Sequence, residues 1–255
     1  VFNEINTIPG FTAHSRYPRH DARGRPAFRR AYNQAGGTGG GKMNGISLSA
    51  ADTCRGPLVL VNAQHPYRGG APALSPALGA EDILLEKTAA ALLAECVRAA
   101  GAAGEVVPVS GWRPRAQQQS IWNDTMEKEG EAFTKQFVAK PGCSEHETGL
   151  AIDLARAARN IDFIRPHLPY DGACGRFRAL AAKYGFIQRY RAEKTAVTGI
   201  ACEPWHFRYV GAPHAQLIEQ NGLCLEEYAA FLREMGPQQC RLAGGRAAQV
   251  LYVPC

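Results

Sequence analysis

The apolar trio Leu150-Ala151-Ile152 lies between a histidine and an aspartate in the stretch Cys143-Ser144-Glu145-His146-Glu147-Thr148-Gly149-Leu150-Ala151-Ile152-Asp153. A run this short and this apolar reads as a buried strand. His146 before it and Asp153 at its end can both turn inward and share one metal ion. A third ligand has to come from elsewhere, so the fold must bring a second segment beside this strand. Glu203-Pro204-Trp205-His206 is the obvious supplier.

Imidazole and carboxylate suit zinc, and a catalytic zinc site uses three protein ligands with a fourth position left to water. His146, Asp153 and His206 make up that set. Glu203, three residues before His206, adds a carboxylate that can act on the water without being a ligand. His146-Glu147 begins like the helix-borne H-E-x-x-H motif. Leu150 stands where the second histidine belongs, which excludes a thermolysin-type site.

The remaining totals narrow the setting. A chain of 255 residues can form one large domain, or one domain with an appendage. No apolar run reaches the roughly 18 residues needed to span a membrane. The first residue is Val1 and not Met, which is compatible with the removal of an export or anchoring segment. The net charge of +6 favours anionic surroundings. Its basic residues are scattered, apart from Arg16, Arg19, Arg23, Arg25, Arg29 and Arg30, so an anionic cell wall or plain solubility accounts for it and nucleic acid is not expected. Eight cysteines without a Cys-x-x-Cys pair argue against a cysteine-rich zinc knuckle. Cys96 fits the apolar face of a helix, and Cys240 with Cys255 is the best disulfide candidate. The segment Gly36-Gly37-Thr38-Gly39-Gly40-Gly41-Lys42 nearly fits a phosphate loop. Met43 fills the position that needs Ser or Thr, and no apolar strand precedes it, so nucleotide binding is set aside.

Along the chain, residues 1–54 read as a tail or linker, 55–235 as one catalytic domain and 236–255 as a C-terminal tail with a short strand at 250–253. A strand is expected at 57–62, loop at 63–80 and a helix over 81–100, with Glu81 and Asp82 in its first turn and Gly101 as its stop. Strand 105–110, helix 115–130, a connection over 134–142 and strand 150–154 follow. Then come a loop or short helix at 162–169, helix 175–184 and strand 186–190. A strand starting over 198–202 and extended by 205–209 precedes helices at 214–221 and 226–235. Helices and strands mix without regular alternation. The predicted class is α+β, with a small, largely antiparallel sheet flanked by helices.

The pattern Ser144-x-His146-x-x-Gly149-x-Ala151-x-Asp153, followed by Glu203-Pro204-Trp205-His206-Phe207-Arg208-Tyr209-Val210-Gly211, resembles the VanY-type D-alanyl-D-alanine carboxypeptidases. Their zinc peptidase family also includes VanX dipeptidases, L,D-carboxypeptidases and some phage endolysins. The resemblance runs from about Leu58 to Leu232. Ser110-Gly111-Trp112-Arg113 and Gly185-Phe186-Ile187-Gln188-Arg189-Tyr190 match too. Ile161-Asp162-Phe163-Ile164-Arg165-Pro166 and Thr198-Gly199-Ile200 are similar to the branch found in vancomycin-resistance clusters of the VanG kind.

The resemblance implies that His146, Asp153 and His206 bind one zinc ion, that Glu203 is the catalytic base and that Arg113 stabilises the oxyanion. It implies that Ser110, Gln118 and Ser144 contact the substrate's terminal carboxylate or neighbouring amides, and that Tyr190 lines the pocket. Trp205 either orients a ligand or simply fills the core. Trp112 stands where relatives often carry tyrosine. The implied substrate is a peptidoglycan stem pentapeptide or its precursor, cut outside the cytoplasm by a domain that a removed N-terminal segment could tether to the membrane. No acyl-enzyme is involved, so a nucleophilic serine is not needed. An L,D-carboxypeptidase acting on tetrapeptide stems is the nearest alternative. The 203–211 stretch weighs against a D,D-dipeptidase. Three ligands and a free carboxylate weigh against a wall-binding module with a structural zinc, which would use four ligands.

Overall fold

A computed structural model of the chain describes residues 12–15, 56–242 and 247–252. The arginines at 16–30, the glycine-rich segment 36–42 and Cys255, the expected partner of Cys240, lie outside the described residues. The central sheet has the strand order β4 (Val106–Ser110), β5 (Ala151–Arg156), β7 (Glu203–Tyr209), β6 (Phe186–Tyr190), and every neighbouring pair is antiparallel. A hairpin of β2 (Leu74–Ala77) and β3 (Ala80–Glu86) stands beside it. Helices α1 (Lys87–Ala99) and α3 (Gly172–Ala181) pack on one side. Helix α2 (Arg115–Phe137) crosses between β4 and β5 in sequence. A one-turn helix α4 (Thr195–Thr198) precedes β7, and α5 (Ala212–Gln220) and α6 (Leu225–Glu234) follow it. Strands β8 (Gln238–Arg241) and β9 (Ala247–Tyr252) form a second sheet with β1 (Thr12–Ser15). The α+β class read from the sequence is the class observed.

Side chains alternate across a strand, and here the alternation sorts them by chemistry. Ile152, Leu154, Phe186, Phe207 and Tyr209 project into the main core, where they meet Leu93, Cys96 and Phe177 of the helices. Phe177 and Phe207 meet edge to face at 5.0 Å. The intervening residues Asp153, His206 and Arg208 are buried as well. The central strands therefore have one apolar face and one buried polar face. A second cluster joins Ile187 and Val210 to Ile218, Tyr228, Leu232, Cys240 and Val250. The C-terminal stretch read as a tail thus supplies two strands, with Cys240, Ala248 and Val250 buried.

Several expected elements differ. The helix expected over 81–100 starts only at Lys87. Residues 80–86 are strand, paired back on β2 through a turn at Leu78 and Gly79, both with positive φ. Glu86 caps the helix instead of Glu81 or Asp82, its carboxylate accepting from Thr88 N and Ala89 N at 2.9 and 3.1 Å. The apolar run 57–62 is not a strand. Val59 and Val61 are buried, but the carbonyls of Pro57 and Val59 accept from the Arg208 guanidinium at 3.0 and 2.8 Å. Helix α2 continues past 130 to Phe137, broken at Gly130, where φ is 82°. Residues 195–198 turn helically and Gly199 ends the turn, so β7 begins at Glu203. Residues 238–241 form a strand that no periodicity announced.

Gly149 joins the 3-10 turn Glu145–Thr148 to β5 with φ of 71°. A Cβ there would come within 2.8 Å of Pro72 Cγ and 3.3 Å of Glu86 N. Gly149→Ala is expected to lose about 1–3 kcal/mol of stability, since the left-handed backbone and the crowding both oppose a side chain. Urea unfolding monitored by circular dichroism measures it; a midpoint equal to wild type contradicts the reading.

Candidate active site

Register places the site. In the ladder between β5 and β7, Asp153 is paired with His206. On the other side of β5, Ser110 is opposite Asp153, just past an irregularity between Pro108 and Ser110. Across β7, Glu203 is opposite Tyr190, again past an irregularity. Paired residues project to the same face, so Asp153 and His206 emerge side by side. His146 arrives from the 3-10 turn ahead of β5. Thr148 ties that turn, its hydroxyl donating to Glu145 O and accepting from Leu150 N. Glu147 is used structurally: its carboxylate accepts from Gly142 N at 2.6 Å and from Arg115 Nε at 3.1 Å.

His146, Asp153 and His206 are all buried, and each offers one ligand atom within 4.8 Å of the others, so the group could hold a metal ion. His206 Nδ1 lies 2.8 Å from Asp153 Oδ1, and His146 Nε2 lies 3.3 Å from Asp153 Oδ2. The other ring nitrogens point away. His146 Nδ1 is 2.7 Å from the Gly111 carbonyl, which can only accept, so Nδ1 carries the proton and Nε2 turns a lone pair inward. His206 Nε2 faces Glu145 Oε2 at 3.5 Å. One inward nitrogen and one backed nitrogen on each ring is the arrangement of metal-ligating histidines. The donor set therefore fits a zinc ion.

Glu203 Oε2 lies 3.8 Å from His206 Nδ1, beside the His146, Asp153 and His206 group and not part of it. Burial pushes its carboxyl up to about 8; His206 opposes this, while the charges of Asp153 and Glu145 add to it. Burial disfavours charge on Asp153 too, but His146 and then His206 outweigh it and hold the carboxyl below its ordinary value. Burial lowers His146. It also works against the charge on His206, yet hydrogen bonds to Asp153 and Glu145 carry that ring up to about 10 in the absence of metal.

Arg113 lines the cavity over this group; its burial lowers the pKa of the guanidinium, and the charges of Asp153 and Glu203 only partly offset this. Its guanidinium donates to Gln118 Oε1 and Ser110 Oγ, both at 2.7 Å, and Gln118 Nε2 donates to Ala139 O at 2.7 Å. Ser110 and Gln118, expected against the substrate, here hold the arginine. A cavity of about 310 Å³ opens over the cluster, lined by Arg113, Ser144, Tyr190, Glu203 and Trp205 among others. Tyr190 packs on His206 with ring centroids 5.0 Å apart. Trp205 borders the cavity and also belongs to the main core.

Three residues at the site were given no role by the sequence reasoning. Glu145 is fully buried behind His206 and meets Arg189 Nε at 2.8 Å and Arg208 Nη1 at 2.9 Å. Burial works against its charge, but the two arginines overcome this and hold its carboxyl well below the usual carboxylate range. The available signal was an arginine inside each of two apolar strands, Phe186–Tyr190 and Glu203–Tyr209, since such residues are almost never fully buried unless paired.

The family model described as VanY: D-alanyl-D-alanine carboxypeptidase matches residues 82–212. The bifunctional D-Ala-D-Ala dipeptidase and D-Ala-D-Ala carboxypeptidase VanXYC of Enterococcus gallinarum is 40% identical over 182 residues, covering 69% of this chain and 95% of that protein. This chain belongs to the VanY family of D-alanyl-D-alanine carboxypeptidases. Among solved structures, the vancomycin-resistance D,D-dipeptidase VanXYg in complex with a D-Ala-D-Ala phosphinate analog superposes with a TM-score of 0.79 at 41% identity, covering 84% of this chain and 88% of that one. A point mutant of the D,D-pentapeptidase VanY from a VanB-type resistance cassette, in complex with Zn(II), gives 0.57 at 32% identity over 68% and 98% of the two chains. The resemblance read from the two motifs is thus the family found, and the chain is a carboxypeptidase of that family.

The state of Glu203 leaves a mark on stability. Its folded pKa is raised, so its contribution is fully present below the unfolded carboxyl's value near 4.5 and is lost as pH climbs through about 8. Without metal, Glu203→Gln is therefore expected to gain on wild type by about 3–5 kcal/mol between these limits. Urea unfolding in chelator across this range checks it; parallel pH profiles for the two proteins refute it.

Proposed function

We propose that the protein is a zinc-dependent carboxypeptidase that removes the terminal D-alanine from peptidoglycan stem pentapeptides ending in D-Ala-D-Ala, outside the cytoplasm. The observation that carries this is the free carboxyl of Glu203 beside a complete His-Asp-His set, with Arg113 opposite. The relative solved with Zn(II) supports the choice of metal. His146 through Nε2, Asp153 through its carboxylate and His206 through Nδ1 would hold the ion, which when bound supplies Lewis acidity and makes water acidic enough to act near neutral pH.

Glu203 takes the proton of the attacking water and hands it to the amine of the departing D-alanine. Arg113 holds the oxyanion that develops on the scissile carbonyl, and it is fixed for this before substrate arrives. Ser110 and Gln118 do that fixing. Gln118 has both ends of its amide engaged, so its part is to orient Arg113. Ser144 and Tyr190 border the cavity and are the side chains placed to meet the peptide. Among the described residues no helix is long and apolar enough to cross a membrane.

A second activity has support. VanXYC, matched over 95% of its length, is named for dipeptidase as well as carboxypeptidase action. Its likeness offsets the weight given to the 203–211 stretch against a dipeptidase. Cleavage of free D-Ala-D-Ala is a second reaction of the same site under this reading.

Purified protein is expected to release D-alanine from the pentapeptide, to stop on chelation and to recover with zinc. Mass analysis of tripeptide, tetrapeptide, pentapeptide and D-Ala-D-Ala digests decides the substrate; faster cleavage of the tetrapeptide sinks the D,D assignment in favour of the L,D one. Glu203→Gln should keep its zinc, measured by metal analysis, and lose about 10²–10⁴-fold in kcat. Wild-type turnover in that variant rules out the glutamate as base.

A further inference from the structure

His206 is held on its far side by a chain of buried charges that reaches the C-terminal part of the molecule. Glu145 Oε2 stands 3.5 Å from His206 Nε2. Its other oxygen, Oε1, accepts from Arg189 Nε at 2.8 Å. Arg189 in turn makes a two-pronged contact with Glu226, at 2.8 Å through Nη1 and 2.6 Å through Nη2. Arg208 Nη1 approaches Glu145 Oε1 to 2.9 Å as an ion pair without an aligned hydrogen bond, while its Nη2 is anchored on the carbonyls of Pro57 and Val59. Asn62 steadies the far end by donating to Glu226 Oε1. The side chains of Glu145, Arg189 and Arg208 are completely buried.

Burying a carboxylate and two guanidiniums is costly, and hydrophobic packing could fill the same space. What these charges achieve in this place is orientation. A two-pronged arginine–carboxylate contact fixes a plane as well as a distance. Arg189 thereby fixes Glu145, and Glu145 offers an acceptor to one nitrogen of His206. Without an ion both nitrogens of His206 face carboxylates and carry protons; an ion held through Nδ1 would displace the proton there, and the one that stays on Nε2 has Glu145 as its acceptor. His146 obtains the same result from the Gly111 carbonyl. The two histidines thus have unlike supports, one a backbone carbonyl and the other the charged carboxylate of Glu145, held through Arg189 by Glu226 of α6.

We propose that Glu145 is the positioning residue for His206, and that Arg189 and Glu226 are the clamp that holds it in place. This rests on the zinc reading of the preceding section. Glu145 does not touch substrate. It sets the tautomer and the orientation of a ligand, and so the affinity for the ion.

The test uses the full chain, stripped of metal and titrated with zinc against a chromophoric chelator. Glu145→Asp keeps a charge between the arginines but withdraws it from His206 by one methylene. It is expected to fold and to bind zinc about 10–100-fold more weakly, the usual cost of losing the partner behind a metal-bound histidine. In the zinc-loaded variant, nitrogen NMR should show His206 losing its single Nε2-protonated signature while His146 is unchanged. A purely structural Glu145 would lower the melting temperature and leave zinc affinity and that signature as in wild type; this result overturns the proposal. If Glu145→Asp does not fold, Glu226→Gln decides. It loosens the clamp from its partly exposed end, and weakened zinc binding supports the proposal whereas unchanged binding overturns it. Failure of wild type to take up zinc is a different result, and it removes the zinc reading itself.

Discussion

The pairing of Asp153 with His206 across β5 and β7 is the constraint on which the rest depends. A strand alternates its side chains with period two, so a slip of one residue would turn either side chain to the opposite face. The same slip would drive Ile152 or Phe207 out of the core and into the polar face. Packing and chemistry thus demand the same register, and satisfying one secures the other. The irregularities in β4 and β6 extend this order outwards, bringing Ser110 level with Asp153 and Tyr190 level with Glu203.

The two faces of the central sheet stand in contrast. One is filled by aromatic and aliphatic side chains against α1 and α3. The other buries two histidines, three carboxylates and two arginines, with the half-buried Arg113 beside them. Charges in such a place survive only if each has a partner. Asp153 has the two histidines, Glu145 has Arg189 and Arg208, and Glu203 has the partial help of His206 and Arg113. Glu203 is the least compensated of the three carboxyls, which is why it alone is pushed towards the neutral form and so is the group suited to exchanging protons.

Much of the centre was legible in the chain because its signals are local. The short apolar run between His146 and Asp153, and the Glu203 to His206 spacing, each hold within a few residues. Strands β4, β5 and β6 were legible for the same reason, being brief apolar runs between turn residues. Helix α1 was misjudged at its start, since Ile83, Leu84 and Leu85 satisfy a helical pattern as well as a strand and only pairing with β2 separates the two. The run 57–62 shows the reverse: strongly apolar, it packs in the core, but a side chain and not a neighbouring strand takes up its carbonyls. The support behind His206 was out of reach for a similar cause. Glu145, Arg189 and Glu226 meet only after the chain has closed over long distances, and no spacing along the sequence foretells that meeting. The bonds from Arg113 to Ser110 and Gln118 were not legible either, because motif likeness carries no information about which neighbour a hydrogen bond chooses.

The group that could hold a metal ion is divided between a turn and two strands, and His206 is 53 residues from Asp153 in sequence. An unfolded chain holds no counterpart of it. Occupancy and folding are therefore thermodynamically linked: an ion bound only by the native state adds about 1.4 kcal/mol to stability for each tenfold excess of free ion over its dissociation constant. The native fold then becomes a reporter of metal supply. Surroundings poor in such an ion would leave the chain in a form easier to unfold, and easier for proteases to remove.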